Sequence, residues 1–304
     1  MHQSPLTVWR FIDGKPGHEK QSQGLIQGLQ ACTSLNISTI PLRGSLLQRL
    51  KEGRRACSTF SKEALPQLLI GAGHSTHLPL LMAQRQYGGH SIILMKPSLP
   101  SLFFDFVLMP KHDQPHQHPN IIPTEGALAP AKVGRKQSNK GIILIGGPDK
   151  RNIWDNSKIK QQVQAICKAQ TGIQWQLSNS RRTPEDFLKE GLNISNLKVI
   201  EWQNTPANWL IDQLAEASYC WVSQDSVSML YEALSAQCAV GVLELTRKKG
   251  KDKIGQNLKR LIKEDTLTTF SSWDQSKALP RCPQVLEEHK RCAEIILKRI
   301  NTTQ

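Results

Sequence analysis

The chain has few tyrosines and phenylalanines, three and seven in 304 residues, although its seven tryptophans are generous. No aromatic-rich RNA-binding motif, zinc finger or basic zipper accompanies them, so no nucleic-acid partner is expected. Among its seven cysteines there is no C-x-x-C pair, and the count is odd, which speaks against a disulfide framework. Cys32, Cys167, Cys220, Cys238 and Cys292 fall in apolar patterns. They read as reduced core thiols, and the expected compartment is the reducing cytoplasm. Long apolar runs are missing too. Leu78 to Ala83, Ile92 to Met95 and Ile142 to Ile145 fall far short of the ~20 residues of a membrane span. The first apolar run, Leu6 to Ile12, contains Arg10 and is too short for a signal segment.

What is abundant is positive charge. The formal net charge is +14 and the pI about 9.6, which implies an attraction to something anionic. The cations cluster at Lys51 to Arg55, Lys132 to Lys140, Arg247 to Lys253 and Lys259 to Lys263. Solvated basic loops account for most of them, and a peripheral contact with an anionic membrane is the leading functional reading. An apolar content of 38% suffices for a packed core.

Short apolar runs alternate with helical patterns. Thr7 to Ile12, Ile37 to Pro41, Leu68 to Gly71, Ser91 to Met95 and Phe106 to Met109 read as strands; His18 to Cys32, Leu46 to Lys51 and His77 to Gln86 read as helices. The basic, Pro-containing stretch from Ala127 to Lys140 reads as a linker. A second series begins with the run from Gly141 to Gly147 and continues in strands at Ile173 to Ser178, Lys198 to Glu201, Tyr219 to Val222 and Val240 to Leu245. A last helix is expected over Pro283 to Ile300. This βα alternation predicts an α/β chain of two Rossmann-like, doubly wound domains facing a cleft, residues 1–135 and 136–304. The last helix is free to pack back on the first domain. In such sheets ligands sit beyond the carboxyl ends of the strands.

The loops after those strands carry the candidate chemistry. Asp13-Gly14-Lys15-Pro16-Gly17-His18-Glu19 follows the first strand. Gly14 and Gly17 allow close backbone approach to a ligand, and His18 or Glu19 could serve as a base. Pro16 and Gly17 equally suit a plain strand-to-helix turn, and the spacing is not the dinucleotide fingerprint G-x-G-x-x-G. Gly146-Gly147-Pro148-Asp149-Lys150 suits a diphosphate, with Lys150 as a cation, although no G-K-[ST] follows. Arg181 and Arg182 could clamp phosphates with their forked donors; Thr183 and Pro184 beside them also read as an ordinary helix start. Ser223 to Leu234 places Asp225 and Ser226 at a helix N-terminus, where free N–H groups favour anions. Asp225, Ser228 and Glu232 share a helix face, with Glu232 about 10 Å along the axis from Asp225. A ligand with phosphates at the helix end and a ribose further along fits that spacing; a plain cap and a solvated Glu fit it as well. His112-Asp113-Gln114-Pro115-His116-Gln117-His118 has metal-ligand residue types but lies in a Pro-containing loop without helical His spacing, so no metal is expected.

The order of these motifs resembles the ELM-type family, named for a plant mitochondrial-fission factor and widespread in bacteria. The resemblance rests on the phrase from Asp13 to Glu19 with Gln21-Ser22, on Phe104-Asp105-Phe106-Val107 with Pro110-Lys111-His112-Asp113, and on Asn120-Ile121-Ile122 with Gly126-Ala127-Leu128. It continues through Ile145-Gly146-Gly147, Ser180-Arg181-Arg182-Thr183-Pro184 and Asp225-Ser226-Val227-Ser228-Met229 with Glu232-Ala233. The family is similar to glycosyltransferases of GT-B architecture. The resemblance implies Gly146, Gly147, Arg181, Ser226 and Ser228 near the phosphates of a nucleotide-diphosphate sugar, Glu232 near its ribose, and His18 facing an acceptor. The function expected is metal-independent glycosyl transfer, without a cofactor, to an envelope or lipid-linked glycan. A sugar-nucleotide epimerase on the same fold, and a non-catalytic recruiting protein at a membrane, are the alternatives.

Overall fold

The computed structural model describes residues 4–61, 64–189, 191–248, 253–282 and 286–302. The chain forms two compact units. One runs to Pro130 and takes in the chain again from Glu287; the other is Ala131–Leu286.

The first unit is built on β1 (Leu6–Ile12), β2 (Leu35–Pro41), β3 (Leu68–Ala72), β4 (His90–Leu94), β5 (Phe106–Pro110) and β6 (Ile121–Thr124). They lie in the order β2-β1-β3-β4-β5-β6, all parallel. Every residue of β3 is buried, as a central strand covered on both faces must be. Alternate side chains serve opposite faces. Val8, Leu68, Ile70, Ile92 and Leu94 pack with Leu25, Ile26 and Leu29 of α1 (Pro16–Cys32) and with Cys292, Ala293, Ile296 and Ile300 of α8 (Glu288–Thr302). Trp9, Phe11, Leu69, Ile93, Val107 and Met109 pack with Cys57 of α2 (Leu46–Cys57) and Leu80 and Ala83 of α3 (His77–Tyr87). A capping box opens α2: Gln48 N donates to Ser45 Oγ at 3.4 Å and Ser45 N donates to Gln48 Oε1 at 2.7 Å. The final helix reaches α1 closely because Gly28 has no Cβ; one there would stand 2.1 Å from the His289 carbonyl oxygen.

The second unit holds β7 (Gln137–Leu144), β9 (Gln174–Ser178), β10 (Leu197–Ile200), β11 (Ala217–Ser223), β12 (Ala239–Leu243) and β14 (Thr268–Thr269). Their order is β10-β9-β7-β11-β12-β14, again all parallel. Numbered within the unit, this is 3-2-1-4-5-6, the Rossmann order, whose switch point falls between β7 and β11. One face carries Ile143, Trp175, Leu177 and Trp221 against Ile159, Val163 and Ile166 of α4 (Asn156–Ala169). The other carries Ile142, Leu144, Cys220 and Val222 against Leu230, Tyr231 and Leu234 of α6 (Val227–Ser235). The helices α5 (Trp209–Glu216) and α7 (Lys253–Lys263) complete the cover, and two-residue strands β8 (Asn152–Ile153) and β13 (Thr246–Arg247) pair antiparallel.

Several elements differ from the sequence reading, and Cys32, read there as a core thiol, is exposed. The expected linker ends early, because Gln137 to Lys140 form the first half of β7. Those polar residues hide no apolar face; the ladder holds them through the pairing of Gln137 with Ala217, and Lys140 Nζ lies 2.6 Å from Glu216 Oε2. The last helix begins at Glu288 rather than Pro283, and residues 283–285 lie outside the described set. Part of the basic Arg247 to Lys253 cluster, residues 249–252, lies outside it too. Strand β6 was not anticipated: Pro123 interrupts its ladder, which an edge position tolerates.

Candidate functional site

The carboxyl edge of each sheet collects the loops singled out above. In the second unit the loops after β7 and β11 meet at the switch point, as the Rossmann order requires. Gly146 N donates to Ser223 Oγ at 2.7 Å and Gly147 N donates to Asp225 Oδ2 at 2.9 Å. Arg182 Nη2 donates to the same Oδ2 at 2.6 Å, and Arg182 Nη1 donates to the Gly147 carbonyl at 3.1 Å. The Asp225 side chain is 0% exposed, and its Oδ1 is buried without a hydrogen-bond partner. Ser180 Oγ donates to the Gly146 carbonyl at 2.8 Å and Thr183 Oγ1 donates to it as well.

This geometry revises the reading of the two glycines. A Cβ on Gly146 would stand 2.1 Å from Asp225 Oδ2, and one on Gly147 would stand 2.1 Å from the Arg182 carbonyl oxygen. The close approach they permit is that of the protein's own groups, and both amide hydrogens are spent inside it. Arg182 likewise turns to Asp225. Arg181 turns elsewhere: its guanidinium stands over the Trp202 ring, 5.2 Å from the centroid, and Asn179 Oδ1 accepts from Trp202 N at 2.8 Å. Lys150 is exposed. Beside it Asp149 gathers the Arg151 Nε and the backbone N–H groups of Arg151 and Asn152. Burial works to raise this carboxyl, but the bonds from Arg151 and Asn152 outweigh it and hold it below its ordinary range.

At the head of α6, Leu230 N makes the first intrahelical bond, to the Ser226 carbonyl at 3.2 Å. The amides of Val227, Ser228 and Met229 precede that bond and have no intrahelical acceptor. Ser226 is buried and donates its N–H to the Ser223 carbonyl; Ser228 is exposed. Asp225 and Glu232 are both buried. The face expected to present Asp225, Ser228 and Glu232 together to a ligand therefore has two buried carboxylates and one open hydroxyl.

In the first unit, β1 and β3 flank the switch point, and His18 stands there. His18 Nδ1 lies 3.1 Å from Asp13 Oδ1 and 3.0 Å from Asp13 Oδ2. The Asp13 side chain is 2% exposed and that of His18 is 18% exposed. A carboxylate there fixes Nδ1 as the protonated nitrogen and leaves Nε2 as the acceptor; Nε2 has no partner among the described residues. The ring lies against the loop after β3, where a Cβ on Gly73 would stand 2.2 Å from His18 Cε1. Gly73 has φ +81°, a conformation that costs glycine nothing. Gly14 and Gly17 are exposed and touch nothing within 4 Å of an added Cβ. Glu19 faces Arg10 rather than His18: its charge acts on the guanidinium, and its carbonyl accepts from Arg10 Nη2 at 2.7 Å. Arg10 also donates to Ser22 Oγ and Gln23 Oε1, which anchors the first turns of α1 to β1.

Sequence reasoning did not assign roles to Asp13, Gly73 or Trp202. Asp13 sat in the motif already, five residues before His18, and Gly73 sits in a Gly-containing loop after a strand, Gly71 to Ser75, that repeats the same pattern; Trp202 comes from a loop distant in the chain, so only folding reveals it. Further along the same edge, His77 is buried with Nδ1 3.2 Å from Ser98 Oγ and Nε2 without a partner. Burial, with a smaller push from His74, lowers its pKa to about 4. The His112 to His118 loop forms local contacts: His118 with Asn120, His116 with Ser101, and His112 with Asp113. Among the described residues, no group of three or more His, Cys, Asp or Glu is placed to hold a metal ion, and no helix is long and apolar enough to cross a membrane.

Similar folds occur in solved structures. UDP-GlcNAc 2-epimerase of Methanocaldococcus jannaschii superposes with a TM-score of 0.60 at 10% identity, covering 96% of this chain and 100% of that one. The Neisseria meningitidis UDP-GlcNAc 2-epimerase bound to UDP-GlcNAc gives 0.55 at 10% identity over 98% and 100%. MurG of Acinetobacter baumannii gives 0.51 at 12% identity over 98% and 100%. At such identities the likeness establishes the fold, the GT-B type shared by epimerases and glycosyltransferases. A Rickettsia prowazekii (strain Madrid E) protein, the uncharacterized RP120, is 23% identical over 76% of this chain and 81% of its own. The family model described as "Mitochondrial fission ELM1" matches residues 16–300, and with nearly the whole chain matched, the protein belongs to the mitochondrial fission ELM1 family.

Proposed function

We propose that the protein is a glycosyltransferase that moves a sugar from a nucleoside diphosphate to a hydroxyl acceptor. The observation that carries this reading is the Asp13–His18 pair, an imidazole oriented by a buried carboxylate with its second nitrogen open. His18 Nε2 takes the proton of the acceptor hydroxyl, the oxygen attacks the anomeric carbon, and the bond to the nucleoside diphosphate breaks. Asp13 stabilises the imidazolium that results. The second unit binds the donor in this reading. The open amides of Val227, Ser228 and Met229, with Lys150 and the exposed guanidinium of Arg181, are suited to the charge that develops on the leaving diphosphate. Trp202, stacked with Arg181, offers a flat surface for the base. Ser228 is the open hydroxyl of this set; Gly146, Gly147, Arg182 and Asp225 hold its loops in place. No step calls for a metal ion. The proposed setting is the cytoplasm, at the inner face of a membrane, with an envelope or lipid-linked glycan as acceptor.

The test begins with uridine and guanosine diphosphates, one of which should raise the melting temperature. Incubation with the matching sugar nucleotide should release diphosphate only when an acceptor glycan is present. Conversion of the donor alone would make the protein an epimerase, which needs paired acid and base groups around one sugar carbon. A biological role untouched by His18→Ala and Glu232→Ala would make it a recruiting protein.

A further inference from the structure

Six of the large apolar side chains that lie exposed belong to one layer of the first unit, spread from the carboxyl edge of the sheet to its amino edge. Leu46 and Leu47 stand on the first turn of α2, Leu78 and Met82 on α3, and Leu102 and Phe103 on the connection from β4 to β5. Leu47 is 71% exposed, Leu102 69% and Phe103 57%. These three elements cover the same face of the sheet and adjoin one another. A Cβ on Gly53 of α2 would touch Pro79 of α3, and Arg54 and Met82 line one recess. On the other side of α3, His77 meets Ser98 and the Phe104 ring. Single exposed apolar residues are ordinary; a set on one face marks an interaction surface.

The charges of the same layer name the partner. Across α2, α3 and residues 95–104 the sequence holds Arg49, Lys51, Arg54, Arg55, Arg85 and Lys96 against one acidic residue, Glu52. Glu52 accepts from the Arg43 backbone N–H at 2.9 Å. None of the six cations is in an ion pair among the described residues. A face that carries both exposed apolar side chains and unpaired Lys and Arg suits the boundary of an anionic bilayer, where the former enter the acyl region and the latter meet headgroups.

We propose that this α2–α3 face binds peripherally to membranes containing anionic lipid. The proposal stands apart from the catalytic reading. The two join in one respect: α2 and α3 each follow a strand of a parallel sheet, so their first turns lie at the carboxyl edge that carries His18. A lipid-linked acceptor in the bilayer would reach that edge directly.

Co-sedimentation with vesicles tests it, using phosphatidylcholine alone and phosphatidylcholine with phosphatidylglycerol. The full chain should sediment with the anionic vesicles, weakly with the neutral ones, and less as salt rises. Leu47→Glu with Phe103→Glu should weaken binding at least tenfold, and Arg54→Glu with Arg55→Glu should do the same; all four positions are exposed, so folding is spared. Three outcomes would overturn the proposal. One is no sedimentation of the wild type with anionic vesicles. Another is unchanged binding in both variants, with Lys248→Glu in the other unit abolishing it. The third is a dimer in solution that Leu47→Glu dissociates, which would make a second copy the occupant. None of these bears on nucleotide binding, which the melting shift reads separately.

Discussion

At the carboxyl edge of the first sheet, Asp13 directs both oxygens to one imidazole and leaves Nε2 open. At that of the second, Asp225 directs Oδ2 to a backbone amide and a guanidinium and buries Oδ1 unpartnered. Both carboxylates come from the loop after a strand beside the switch point. One orients a group that can do chemistry; the other ties three loops together. Changes at the first edge should therefore appear in turnover, and changes at the second in stability.

The largest expected effect follows directly. His18→Ala should lower kcat by on the order of 10³-fold, the usual contribution of a positioned base, with a much smaller effect on stability, since the buried Asp13 carboxylate keeps the Lys15 N–H. Asp13→Asn should cost a comparable factor, since an amide can hold the other tautomer. Single-turnover kinetics and a pH–rate profile check both. A His18→Ala protein with full activity would break the comparison, and with it the catalytic reading.

Much of this contrast could be read from the sequence, and part of it could not. The central strands were legible because they are short, buried apolar runs between turn residues, and the βα alternation predicts parallel pairing. His18, Gly146, Gly147, Arg182 and Asp225 were legible as residues placed where ligands gather. Their partners were not. A glycine that makes room for phosphate and one that makes room for Asp225 look alike in a motif. Arg181 and Arg182 are neighbours, yet one turns to Trp202 and the other to Asp225, and only the tertiary path of the loops separates them. The polar half of β7 escaped notice because its exposed residues carry no apolar signature.

Acid should separate the two units next. His77 is neutral in the fold, with a pKa of about 4 set chiefly by burial, whereas the unfolded chain takes up the proton near pH 6.5. Between those values the unfolded state binds more protons, so stability is full above about pH 6.5 and declines as pH falls towards 4. The shift corresponds to roughly 3 kcal/mol at most. Urea unfolding from pH 7 to pH 4 should show this slope in the wild type and a shallower one in His77→Phe, where His289, also lowered by burial, still contributes. The same slope in both proteins would assign acid sensitivity elsewhere.

Asp225→Ala should come next. It removes the acceptor of Gly147 N–H and the partner of Arg182, leaving a buried donor and an unpaired guanidinium. Breaking a fully buried pair costs about 3–5 kcal/mol, but the Arg182 side chain is 45% exposed, so water recovers part of the loss. An expected cost of about 2–3 kcal/mol remains, readable as a lower urea midpoint. Affinity for nucleoside diphosphate should fall as the loops loosen. Unchanged stability with lost binding would instead make Asp225 a direct ligand contact.

The smallest effect is at Gly73, and it sharpens the comparison most. Alanine there meets two penalties: φ +81° disfavours a side chain, and its Cβ would stand 2.2 Å from His18 Cε1. With ψ 157° the residue lies in a region essentially kept for glycine, and the backbone term is about 1–3 kcal/mol. The ring contact can be relieved, since His18 is part exposed and can swing away from the loop, so the stability loss should stay near that figure. The swing breaks the alignment with Asp13. Gly73→Ala should therefore lose turnover out of proportion to stability, with KM for the donor unchanged, because donor binding is assigned to the other unit. A loss of donor affinity in place of turnover would mean that His18 reads the nucleotide rather than the acceptor hydroxyl.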